Sequence, residues 1–100
     1  MPSTSYDEFL RQELRDPEVA AEYLSAALDE GSVDQFLLAL RHVADAHGGV
    51  GVLSDITELN RQSMYRMLSE RGNPTLASLL AVLRALGIDI AFRPHEHEAA

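Results

Sequence analysis

The sequence predicts an all-α chain closed by one short C-terminal strand. Three observations carry this reading. Apolar residues recur at helical spacing from Tyr6 to Leu86, cap and stop signals punctuate that pattern, and only residues 88–92 alternate large apolar with smaller or polar side chains. One hundred residues, 46% of them apolar, have the composition of one ordinary globular unit. No run approaches the roughly 18 apolar residues a membrane span needs, and no charged-then-apolar leader opens the chain, so a cytoplasmic location is expected.

The elements follow in order. Tyr6, Phe9, Leu10 and Leu14 line one side of a first helix, with Ser5 and Glu8 spaced as a capping box. Asp16-Pro17 reads as an N-cap followed by proline at the first helical position. Val19, Ala20, Tyr23, Leu24, Ala27 and Leu28 then run to Gly31, expected to stop the helix in the left-handed conformation. Ser32 and Gln35 repeat the capping-box spacing ahead of Val33, Phe36, Leu37, Leu40, Val43 and Ala44, and Gly48-Gly49 ends that helix. Two short helices follow, about residues 50–57 and 61–69. Asn73-Pro74 is expected to start a last helix carrying Leu76, Leu79, Leu80, Leu83 and Leu86 to a stop at Gly87.

Residues 88–92 read as a strand ended by Pro94, and residues 95–100 as a frayed tail. A lone strand has no partner for its backbone within a helical chain. The economical answer is pairing with the same strand of a second copy, a two-fold homodimer in which Leu83, Leu86, Ile88, Ile90 and Phe92 supply apolar contacts. The alternative is an extended tail lying on the helices.

Charge divides the chain. The net charge is −8, and all eight basic residues are arginine. Residues 1–34 carry Arg11 and Arg15 against nine acids, a net −7, whereas residues 59–94 carry five arginines against Glu70 and Asp89, a net +3. Two surfaces with different partners are the functional reading; a merely solvated acidic face is the plain one. The expected organisation is an acidic N-terminal helical segment (1–34), a helix-turn-helix domain ending in the dimerisation strand (35–94) and the tail (95–100).

The block from Val50 to Ser69 carries the functional signal. With Val50 as the first position of a twenty-residue helix-turn-helix, small Ser54 falls where the two helices approach closely. Leu53, Leu59, Met64 and Met67 occupy the positions such a unit buries, and Asn60 is placed to cap the second helix. Arg61, Gln62, Tyr65, Arg66 and Ser69 are left facing outward. Arginine can grip guanine bidentately, and glutamine or asparagine can do the same for adenine. The N-terminal N–H groups of the helix suit phosphate, and Arg71 and Asn73 just beyond it are placed for backbone contacts. The plain reading is a helical hairpin with a solvated face. Glu58 stands at the turn position that favours glycine, so positive φ and about 1 kcal/mol of strain are expected there.

These segments resemble a known family. RDPEVAAEYLSAALDEG and, above all, LNRQSMYRMLSERGNPTLASLLAVLRALG look like the addiction-module antidote proteins, Xre/HigA-type antitoxins of type II toxin–antitoxin pairs. The resemblance covers about residues 15–92. That family usually reads GLSR where this chain reads ELNR, so Glu58 and Asn60 are departures. The resemblance implies a lambda-repressor-like DNA-binding domain, a RelE/ParE-type toxin as partner and autorepression of the shared operon. The −7 segment suits a basic toxin, with Tyr6, Phe9 and Tyr23 as apolar anchors and Glu13, Glu18 and Glu22 pairing at the rim.

Other signals read as structural. Zero cysteines exclude disulfides, thiolate metal sites and cysteine nucleophiles. His42 and His47 are spaced poorly for one helix face, His95-Glu96-His97 lies in the tail, and no serine has a recognisable histidine base. No enzyme, metal or cofactor is expected. Besides the antitoxin, two readings stay open: a stand-alone Xre-like repressor without a toxin, and a helical interaction module that no longer binds DNA.

Overall fold

The structure, a computed structural model, describes residues 2–69 and 73–95, with side chains from Tyr6 onward. The described residues form six helices: α1 (Pro2–Glu13), α2 (Pro17–Glu30), α3 (Val33–Ala46), α4 (Gly49–Thr57), α5 (Arg61–Met67) and α6 (Leu76–Ala85). Local chemistry sets most of their ends. Asp16 accepts from the Glu18 N–H at 2.9 Å ahead of Pro17, and Ser32 accepts from the Gln35 N–H at 3.3 Å. Gly87, at φ 81°, closes α6 with a Schellman pair in which Ile88 N–H donates to Leu83 O (2.8 Å) and Gly87 N–H to Arg84 O (3.0 Å).

Helix α3 is the central post. Helices α1, α2 and α4 pack on it, and α4 also packs on α5 and α6. Leu14, Leu37, Leu40, Val43, Leu53, Met64, Val82 and Leu86 are the largest fully buried side chains. Leu14, Ala20 and Leu24 of the acidic segment belong to the same core cluster as Leu53 and Met64. The charge boundary near residue 34 is thus not a boundary in packing.

Several expectations are corrected. Helix α1 already runs from Pro2, so Ser5 lies inside it and does not cap it. Gly31 is extended (φ −131°), not left-handed; a Cβ there would overlap the Gln35 side chain, so space and not φ asks for glycine. The last helix is capped by Thr75, which accepts from the Ser78 N–H at 3.1 Å, and Asn73 lies ahead of it. Residues 88–95 form no strand in the single chain, because a strand requires a ladder partner and no second strand occurs among the described residues. Leu83 and Leu86 are buried in the chain's own core, at 4% and 2% exposure, and Leu83 also lines a groove beside residues 88–91.

Candidate nucleic-acid interface

The α4–turn–α5 unit is braced at every bond of its turn. Glu58 N–H donates to Ser54 O at 2.8 Å. The Thr57 hydroxyl donates to Leu53 O at 2.7 Å and accepts from the Leu59 N–H at 3.2 Å. Glu58 takes φ 63°, the one positive value among described non-glycine residues, as expected of the turn position. Asn60 then caps α5, its Oδ1 accepting from the N–H groups of Gln62 (2.7 Å) and Ser63 (3.2 Å). Those two N–H groups are therefore spent on the cap and are not open to a phosphate.

Beneath the unit, Leu53, Met64 and Met67 are buried and Leu59 is half-buried against the core. Ser54 is buried at the α4–α5 approach, and its hydroxyl has no hydrogen-bond partner, so its small size is what the site uses. Above it, Arg61, Gln62, Tyr65 and Arg66 are exposed, with Tyr65 63% exposed. Arg61 does not project freely. Its guanidinium lies over Gly51 of α4, where an added Cβ would stand 3.2 Å from Nη2. Ser69 is half-buried and turned back, its Oγ donating to Arg66 O at 2.7 Å. Asn73 is exposed beside a cleft shared with Ser63, Arg66 and Thr75. Arg71 and the Glu96-His97 pair lie outside the described residues.

The acidic segment presents a different surface. Tyr6 and Phe9 of α1 are exposed, as are Glu13, Glu18 and Glu22. Tyr23 is not available in the same way. It is half-buried, its hydroxyl lies 2.7 Å from His42 Nδ1, and burial followed by the nearby Tyr6 raises its phenol above the ordinary 10.0. His47 Nε2 donates to Leu14 O at 3.2 Å and ties α3 to the end of α1. Both histidines thus hold helices together. No group of three or more His, Cys, Asp or Glu placed to hold a metal occurs among the described residues. Among the same residues no helix is long and apolar enough to cross a membrane.

Two contributors were not read from the sequence. Thr57 braces the turn, and a Thr one residue before a helix end is its only local signal. Gly51 seats Arg61, and a glycine inside an apolar helical run is the mark to look for.

A family model described as "probable addiction module antidote protein" matches residues 5–94. The chain belongs to that family. An uncharacterised protein of Haemophilus influenzae is 33% identical over 66 residues, which cover 66% of this chain and 67% of that one. No solved structure matches the chain. Membership supports an antitoxin role and implies a toxin as partner.

Proposed function

We propose that this antidote-family protein neutralises a RelE/ParE-type toxin by direct binding, and represses its own operon as an Xre/HigA-type dimer on operator DNA in the cytoplasm. It acts by binding and carries no catalytic step. The observation that carries the DNA half is the outward face of α5. Arg61, Gln62, Tyr65 and Arg66 stand on a helix whose underside is locked by Met64 and Met67 and whose N-terminus is capped by Asn60. Reading base edges needs side chains held in a fixed frame, and this helix supplies one. The toxin half is supported by family membership together with the −7 segment, whose exposed Tyr6 and Phe9 offer apolar anchors inside a field that favours a cationic partner.

The test is a gel shift on the chain's own upstream region across a salt series. Specific binding that weakens with salt is expected, and its loss in the Arg61→Ala, Gln62→Ala, Tyr65→Ala and Arg66→Ala variants assigns it to α5. Full affinity in all four would remove α5 from the interface.

A further inference from the structure

An apolar groove lies between α2, α3 and the chain after α6. Leu28, Val33, Phe36 and Leu83 form its walls, and Ile88 and Ile90 form its lip. Leu28 and Val33 are 56% and 63% exposed. Beside the groove, Phe92 is 95% exposed. After the Ile88 N–H bond to Leu83 O, the backbone of residues 89–92 makes no hydrogen bond among the described residues. An uncovered aromatic, an unpaired backbone and an empty apolar groove therefore share one face.

We infer that Phe92 of a second copy fills this groove, so that the dimer is an exchange of C-terminal arms. The inference rests on the dimer reading above and names what its interface buries. A two-fold contact requires one patch to hold both knob and hole, which this patch does. In an antiparallel pair centred on Ile90, Ile88 stands opposite Phe92 of the second copy. Side chains alternate along a strand, so in such a pair residues 88, 90 and 92 of both arms would share one face, beside a groove that residues 88–91 of each chain already line. Residues 89, 91 and 93 would share the other face, where Asp89 is diagonal both to Arg93 and to Asp89 of the second copy, so charge alone does not fix this register. Centring one residue earlier would set Asp89 against itself. Pro94, which has no N–H to give, falls outside the ladder.

The absence of cysteine makes the test clean. Differently tagged full-length chains carrying Phe92→Cys and Ile88→Cys are mixed and oxidised, and self-association is followed by sedimentation. The expected result is a dimer that cross-links between the two tags, together with at least a tenfold weaker association in Val33→Glu. Phe92→Ala should weaken association likewise. Val33 and Phe92 are exposed in the single chain, so circular dichroism should not change, and melting should not change at concentrations where wild type and variants are both monomeric. A dimer that neither cross-links nor responds to these variants overturns the arm exchange and leaves dimerisation standing. Variants that stay dimeric but fail to neutralise the toxin overturn it also, and hand the groove to the toxin. A wild-type chain that stays monomeric at micromolar concentration removes both the exchange and the dimer.

Discussion

Helices α1 and α5 each hold a tyrosine out to solvent to the same degree, Tyr6 at 64% and Tyr65 at 63%, but they are held in different ways. Under α5, Met64 and Met67 are 1% and 5% exposed, Asn60 fixes the first turn, and the preceding turn is bonded through Thr57 and Glu58. Under α1, Leu14 just past its C-terminal end is the one fully buried side chain among those described, with Leu10 half-buried one turn earlier. The first helix is a ledge and the fifth is a fixed frame. Sequence-specific readout loses much when a side chain shifts by an ångström, whereas an apolar anchor entering a groove tolerates adjustment. The contrast in support thus parallels the contrast in proposed partner.

The largest expected effect comes from attacking the support itself. Met64→Ala should destabilise the fold by about 2–5 kcal/mol, because a fully buried side chain leaves a cavity. Phe9→Ala should stay within about 0.5 kcal/mol of wild type. Urea denaturation measures both. Equal losses would erase the distinction between frame and ledge.

Partner binding should separate the two helices next. Arg61→Ala or Gln62→Ala should cost about 1–3 kcal/mol of operator affinity and relax base preference, with stability unchanged. Phe9→Ala should instead speed dissociation of the toxin, while charge reversal at Glu13, Glu18 or Glu22 should slow association and alter its salt dependence. Stopped-flow and gel-shift measurements on the same variants decide whether the surfaces are independent. A Phe9 variant deficient in DNA binding would merge them.

Smaller still is the cap. Asn60→Ala removes the acceptor for two N–H groups and should cost about 1 kcal/mol of stability. It should cost DNA affinity too if α5 must be preorganised, and a normal gel shift would argue that the frame is over-supported.

These features were unequally legible in the sequence. Asp16, Ser32, Asn60 and Gly87 act on atoms within a few residues of themselves, so their roles could be read from spacing. Met64 and Met67 were legible because they fall at positions a twenty-residue helix-turn-helix buries. The Tyr23–His42 bond joins residues 19 apart on two helices, and no local pattern announces it. Thr75 and Asn73 are both competent caps. The chain uses Thr75, and spacing alone does not choose between the two. Leu28 and Val33 fit the helical stripe yet are exposed, because period identifies a face but not whether anything covers it.

Glu58→Gly carries the smallest effect, because two terms oppose. A non-glycine residue in the left-handed region costs about 1–2 kcal/mol, and glycine would relieve that at φ 63°. Glycine also gives the unfolded chain freedom worth about 0.4–1 kcal/mol, which offsets most of the gain. A net stabilisation of roughly 0–1 kcal/mol is expected by thermal or urea denaturation. The DNA readout should be the clearer one. The substitution removes a carboxylate from the turn immediately before the recognition helix, so affinity should rise most at low salt, where repulsion from phosphate is least screened. Unchanged affinity across the salt series would place Glu58 away from the phosphate backbone, and would tilt the docking of the frame so that α5 meets the duplex with its far end, around Tyr65 and Arg66.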